Sequence, residues 1–285
     1  VVFSPKKGWV DRKVDLPCGQ CIGCRIQRSR QWAARCVHEA SMHEANCFIT
    51  LTHRELPPER VDKKTGEIIP VGSVDVRVWQ LFAKALRRKI GRFRFFMCGE
   101  YGDENHRPHY HALIFGHDFR ADRVVYKHKP HRLWTSETLT KTWGHGHAII
   151  GSLTYETAAY CARYCMKKVN GPDAETHYQR TRPDTGERYN VRPEFVTMSR
   201  RPGIGAPWLE AFKSDVYPSD QVVIGGKTFR PPRFYDNNLP EGELEALKKK
   251  RRRAVQQRST ELTPDRLDTR EKVLKSTLQT LKRDL

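Results

Sequence analysis

An α+β fold is what this 285-residue sequence predicts, and three observations carry the prediction. Asn46 to Thr52 (NCFITLT) is a run of β-branched and aromatic residues of strand length. Phe93 to Phe115 holds two further apolar runs joined by a polar tip, the pattern of a β-hairpin. Around them lie stretches whose apolar residues recur at helical spacing. The resulting order of strand, helix, hairpin, helix, strand, helix is compatible with an antiparallel sheet covered by helices.

Residues 1–45 read as a basic, Cys-rich segment. Its centre is Cys18-Gly-Gln-Cys21-Ile-Gly-Cys24, three thiols at three-residue intervals, which resembles half of a zinc or iron–sulfur site. A fourth ligand has to come from further along. Cys36 is the first choice, with His38, Cys47 and Cys98 as alternatives, and Zn²⁺ the expected ion. Arg25 to about His43 is helical and Arg-rich, and places Arg25, Arg28 and Arg30 where they can follow a phosphate backbone.

Residues 46–215 form the expected principal domain. After the first strand, residues 53–72 contain Pro57-Pro58, Lys63-Lys64-Thr65-Gly66 and Pro70, a loop or lid. Val74 to Ile90 has apolar residues at helical period, Arg87, Arg88 and Lys89 in its last turn, and Gly91 as its stop. The hairpin follows. Phe93 to Met97 is its first strand, Gly99-Glu100-Tyr101-Gly102 is expected as a turn, and Asp103 to Pro108 is the tip. His109-Tyr110-His111 then opens the second strand. Side chains alternate faces along a strand, so His109 and His111 point the same way, as two imidazoles sharing one metal ion must. Glu100 is expected close to both, with Asp103, Glu104 or His106 as substitutes.

Residues 117–130 read as a basic loop, Arg132 to Trp143 as a second helix, and His147 to Leu153 as a strand. The second His-x-His, His145-Gly146-His147, precedes its apolar run and is broken by glycine. It reads as a decoy, although His147 can still line a site through its strand face. Thr154 to about Val169 is a helix with Thr154 as N-cap and Thr157 where a capping box has Glu. Tyr160, Tyr164 and Lys167 share one face of it, the two phenols about one turn or ~6 Å apart along the axis. A lysine in line with two tyrosines is a poor core pattern. Further on, a hairpin is expected around Asp184-Thr185-Gly186, a loop at residues 199–205 and a short helix from Pro207. Val222 to Thr228 imitates a phosphate loop but has Gln221 where the first glycine belongs, so no nucleotide cofactor is expected. Residues 216–240 read as a linker and 241–285 as a charged helical tail, in which Lys248 to Arg253 is an unbroken basic run.

The charge balance is 52 Lys+Arg against 33 Asp+Glu, a net +19 that calls for an anionic partner, nucleic acid first. No segment approaches the ~20 consecutive apolar residues of a membrane span, so no membrane association is expected. Closely spaced cysteines are unlike a secreted disulfide framework and fit a reducing cytoplasm.

Three features occur in order: the strand FITLT, His109-x-His111, and Tyr160-Cys-Ala-Arg-Tyr164-Cys-Met-Lys167. Together they resemble the HUH endonuclease superfamily in the order used by rolling-circle replication initiators. The Cys-rich PCGQCIGCR and the Ser199-Arg-Arg-Pro-Gly-Ile-Gly205 segment are similar to the gokushovirus branch of the microviruses. The resemblance implies a central antiparallel sheet of RRM-like palm type with helices on its faces. It also implies Mg²⁺ or Mn²⁺ held by His109, His111 and Glu100, and Tyr160 and Tyr164 as nucleophiles, with Lys167 stabilising charge. Arg25, Arg28, Arg30, Arg87, Arg88, Arg163 and Lys168 are then the basic side chains expected on DNA. The implied activity is nicking and rejoining of single-stranded origin DNA in a bacterial host's cytoplasm, with host helicase and polymerase as partners. Two other readings of the residues are a non-catalytic zinc-binding DNA-binding protein and a metal-dependent nuclease that activates water.

Overall fold

In the computed structural model the described residues are 19, 21–102, 105–167, 169, 171, 173–182, 185–257 and 259–280. The chain begins with α1 (Ile22–Ser41), β1 (Asn46–His53), the short strands β2 (Arg60–Val61) and β3 (Ile68–Ile69), and α2 (Val76–Ile90). Next come β4 (Arg94–Tyr101), β5 (Pro108–Phe115), β6 (Arg123–Lys127), β7 (Leu133–Ser136), α3 (Glu137–Trp143), β8 (Gly146–Gly151) and α4 (Tyr155–Lys167). It continues with α5 (Asp173–Tyr178), β9 (Gln179–Thr181), β10 (Arg188–Asn190), β11 (Phe195–Met198) and α6 (Ala206–Val216). The last elements are β12 (Val222–Ile224), β13 (Lys227–Phe229), α7 (Arg233–Asp236), α8 (Glu241–Gln257) and α9 (Pro264–Thr280).

Seven strands form one antiparallel sheet in the order β11-β4-β5-β1-β8-β7-β6, so the expected α+β architecture is present. Alternation along its central strands sorts the core into two layers. Ile49, Leu51, Tyr110, Ala112, Ile114 and Met97 pack against Trp79, Phe82 and Leu86 of α2 and Leu139 and Trp143 of α3. Phe48, Phe96, Cys98, Leu113 and Phe115 pack on the other face against Ala33 and Cys36 of α1 and Ala158, Cys161 and Ala162 of α4. Helices therefore cover both faces, which is why β1, β4 and β5 are apolar almost throughout rather than alternating.

Several local expectations change. Gly99 to Tyr101 is strand, not turn, and the ladder runs on to Tyr101 opposite Pro108. Gly99 is there because the Phe195 ring lies over it: a Cβ would stand 2.7 Å from that ring. Arg123 to Lys127, read as loop, pairs with Leu133 to Ser136, read as helix. Ser136 is the actual helix start, its hydroxyl accepting from the Leu139 N–H at 3.1 Å, so the two residues before it are free to form strand. Residues 216–240 carry a hairpin and α7, whose Tyr235 is fully buried against α1. The hairpin around Thr185-Gly186 pairs as expected, β9 with β10.

Two histidines are held in these layers as neutral rings. His38 of α1 stacks on Trp208 with ring centroids 3.6 Å apart and shares a 2.8 Å hydrogen bond through Nδ1 with the Tyr235 hydroxyl. His53 of β1 lies against Tyr110 and Trp143. Burial lowers the pKa of each to about 4, and the Nε2 of each has no hydrogen-bond partner among the described residues. Since both folded values lie below the unfolded one, their contribution to stability is complete above pH ~6.5 and is lost as pH falls toward about 4. The melting temperature should accordingly drop as pH goes from 7 to 5. In His38→Phe, which removes one titrating ring, the drop should be shallower even though the variant starts lower for want of the Tyr235 bond.

Candidate active site

The ladder places four polar side chains in one row across the sheet. His147 pairs with Thr52, Thr52 with His109, and His109 with Glu100. One row further in, Thr50 pairs with His111 and His111 with Cys98. Cross-strand partners share a face, so both histidines, Glu100 and the two threonines lie on the α4 side.

His111 is fixed at both nitrogens. Its Nδ1 is 3.0 Å from the Thr50 hydroxyl and its Nε2 is 2.8 Å from Glu100 Oε1. Both His111 and Glu100 are about 5% exposed or less, so each needs such a partner where water does not reach. His109 Nδ1 is 2.6 Å from the Arg107 carbonyl oxygen. A carbonyl only accepts, so Nδ1 carries the proton and Nε2 keeps its lone pair. Burial, with His111 nearby, lowers the His109 pKa and favours that neutral form. The two imidazole planes are parallel within 5°, with centroids 6.3 Å apart.

Helix α4 lies over this row because the side it turns to the sheet is small. Ala158, Cys161 and Ala162 are fully buried, and Cys161 Sγ comes within 3.6 Å of both Cys98 Sγ and the His111 carbonyl oxygen. Thr154 and Thr157 start the helix by bonding each other's backbone: the Thr157 N–H donates to the Thr154 hydroxyl and the Thr154 N–H to the Thr157 hydroxyl. The capping box is thus closed by a threonine in place of Glu. Tyr160 follows from this seat. It is half-buried, its ring standing edge-on to His111 at 5.2 Å between centroids and to Phe48 at 6.2 Å. Arg163, one turn on, lies 5.5 Å from the Tyr160 ring centre.

The donor chemistry suits a hard divalent cation. Two ligands at right angles, each ~2.1 Å from such an ion, stand ~3 Å apart. His111 Nε2 and Glu100 Oε1 are 2.8 Å apart. Among the described residues no three His, Cys, Asp or Glu side chains already converge on one point, so His109 would have to turn its ring to complete a set.

The other expected residues are placed unevenly. The side chains of Tyr164 and Lys167, and Lys168, Cys18, Asp103 and Glu104, lie outside the described residues. Cys21 caps α1 and Cys24 lies in its first turn. Cys36 lies twelve residues beyond Cys24 on the same helix, ~18 Å away, so it does not join the other two around one ion. Arg25, Arg28 and Arg30 are on α1, which packs beside α4. Arg87 and Arg88 are on α2, across the sheet from the histidines, and Arg87 lies over the Phe93 ring. Thr50 was not singled out from the sequence, although a hydroxyl at an alternate position of an otherwise apolar strand marks it.

The two residues of the second His-x-His part company. His145 packs against His53 and Trp143, while His147 sits in the row with Thr52. Gly146 makes this possible, with φ +152° and its missing Cβ only 2.4 Å from the Thr52 carbonyl oxygen and 2.5 Å from the Arg54 nitrogen. Those are backbone atoms that cannot swing away. Gly146→Ala should therefore cost more than about 2 kcal/mol in chemical denaturation.

Fold and site together define an α+β protein that sets a tyrosine-bearing helix against strand histidines. The family model for replication-associated protein ORF2 matches residues 46–169, the segment from β1 past the end of α4. Replication-associated protein VP4 of Bdellovibrio phage phiMH2K is 30% identical over 289 aligned positions, which cover 92% of this chain and 82% of that protein. Replication-associated protein ORF2 of Spiroplasma virus 4 is 29% identical, covering 84% of this chain and 74% of that protein. Replication-associated protein ORF4 of Chlamydia phage 1 is 25% identical, covering 79% and 53%. No solved structure matches the chain. The chain belongs to this ORF2 family of phage replication-associated proteins.

Proposed function

We propose that the chain nicks and rejoins single-stranded DNA at a replication origin, with Tyr160 as the first nucleophile. The observation that carries this is the Tyr160 ring set edge-on, 5.2 Å from His111, across the row that holds Glu100 and His109. A phenol of ordinary pKa ~10 is a weak nucleophile, and a phosphodiester is an inert anion. His109, His111 and Glu100 would hold Mg²⁺ or Mn²⁺, which supplies charge neutralisation at the scissile phosphate. Thr50 orients His111, and Arg163 adds positive charge beside the phenol.

In the reaction the Tyr160 oxygen forms a bond to phosphorus as the bond to the 3′ oxygen breaks. The phenolic proton is released and the 3′ oxygen takes one up, leaving a 5′-phosphotyrosine and a free 3′-hydroxyl. The phosphoester energy stays in the covalent link, so rejoining needs no nucleotide. Tyr164, one turn along the same helix, takes the second attack, and Lys167 stabilises phosphate charge. DNA carrying the origin, and host helicase and polymerase acting on the 3′-hydroxyl, are the partners of this reading.

Incubation with labelled single-stranded origin DNA and Mn²⁺ should give a protein–DNA adduct that survives denaturant, on the 5′ side of the cut. Tyr160→Phe should abolish it in the first cleavage, and Tyr164→Phe should spare that cleavage but lose strand joining. Free 5′-phosphate ends with no adduct would instead mean water as the nucleophile. Thr50→Val, which removes only the hydroxyl at His111 Nδ1, should weaken Mn²⁺ binding, read by electron paramagnetic resonance, by roughly 10–100-fold. Unaltered Mn²⁺ affinity would remove His111 from the ligand set.

A further inference from the structure

A second basic surface lies outside this site. Helix α8 is docked on the body, with Arg251 as its anchor. The Arg251 guanidinium donates to Asp220 from Nε at 2.8 Å and to Asp236 from one terminal nitrogen at 2.6 Å and the other at 3.0 Å. Lys250 Nζ donates to the Pro218 carbonyl at 3.0 Å, and Lys213 pairs with Glu243 at 2.9 Å. With the helix so fixed, Lys248 and Arg252 stand one turn apart on the rim of a shallow groove of about 430 Å³, which Arg230 closes from the end of β13. Arg251, Val255 and Gln256 complete the lining.

Arg251 is neutralised by its two aspartates. Arg230, Lys248 and Arg252 are exposed and have no ion-pair partner among the described residues. Three uncompensated cations converging on one groove repel each other unless an anion lies between them. The groove lining includes no aromatic ring, whereas surfaces that hold single strands pair cations with rings on which bases stack. Its position is also specific. Phe229, next to Arg230, stacks on Tyr155 at 5.4 Å, and Tyr155 is the first residue of the helix that carries Tyr160.

The geometry points to this groove as a binding site for the phosphate backbone of duplex DNA, independent of base sequence, beside the path a strand takes from Tyr160. The placement relative to the strand rests on the reading of Tyr160 as nucleophile; the binding itself does not. The test uses the full chain in EDTA, so that no cleavage occurs. Anisotropy of a labelled 20-base-pair duplex of arbitrary sequence is followed against salt for the parent, for R230Q/K248Q/R252Q, and for the charge-matched K84Q/K89Q/R92Q.

The groove variant should lose about 2–3 units of salt slope, near 0.9 per phosphate released, and at least tenfold in affinity at ~0.15 M salt. The charge-matched variant should keep the parent's slope. Unchanged slope in the groove variant, equal loss in both variants, or equal loss on a single strand of the same length would each overturn the proposal. Covalent adduct formation on single-stranded origin DNA is scored separately. Its absence in the parent protein would sink the tyrosine reading and leave the duplex result standing.

Discussion

The close seat of α4 on the sheet is the constraint from which the site follows. A helix rides at a distance from a sheet set by the side chains between them, and here these are Ala158, Cys161 and Ala162. Cys161 touches the backbone oxygens of Phe96 and His111, so the helix rests almost on the strands that carry the polar row. Tyr160, at the flank of that small face, reaches His111 without being sealed in the core. Larger residues at these positions would lift the helix and take the phenol with it, leaving the histidines intact and useless. Sheet register does the complementary work. Because Thr50, His111 and Cys98 pair directly, one hydroxyl and one carboxylate can hold the imidazole from both sides, and a slip of one residue would turn every member to the opposite face.

How much of this could be read in advance depends on whether the signal was local. The β1 strand, the α2 helix and the His-x-His strand were legible because their periodicities are strong and their caps conventional. The β6–β7 ribbon was not. Leu133, Trp134, Leu139 and Trp143 can be placed on a helix, and only the Ser136 cap decides that the first two belong elsewhere. Gly99 misled in the same way: a glycine beside a polar residue reads as a turn, yet its purpose is contact with Phe195, nearly a hundred residues away in sequence. Strand β11 is short and sits at an edge, paired only to β4, so its four residues carried too little pattern to be seen.

At the site, the partners His111 and Glu100 were legible from strand alternation and nearness in sequence. Thr50 was not, since its value appears only once β1 is paired with β5. The cysteine motif shows the opposite error. Spacing alone invited a fourth thiol from Cys36, but a continuous helix carries that residue away from Cys21 and Cys24 and into the core beside Phe96 and Ala162. Three-residue spacing in a loop gathers ligands; the same side chains along a helix are spread by its rise.

Net charge shows why composition cannot allocate function. A sequence with +19 announces an anionic partner, yet many of its arginines are structural. Arg35 lies between the Trp32 and Phe234 rings and donates to the Ile204 carbonyl. Arg94 pairs with the buried Glu39, Arg123 with Asp118 over Trp134, and Arg251 with two aspartates. Each of these is used up in holding elements together, because a guanidinium can pair, stack and bond at once. The excess that can act outward is what remains after that pairing. It is not spread evenly: Arg163 stands at the tyrosine, and Arg230, Lys248 and Arg252 stand together at the groove. A field from a few uncompensated side chains at short range outweighs a larger charge dispersed over a screened surface, since exposed charges beyond ~8–10 Å are largely masked by salt. For a protein whose partner is a polyanion, the pairing of arginines inside the fold therefore decides where DNA is held.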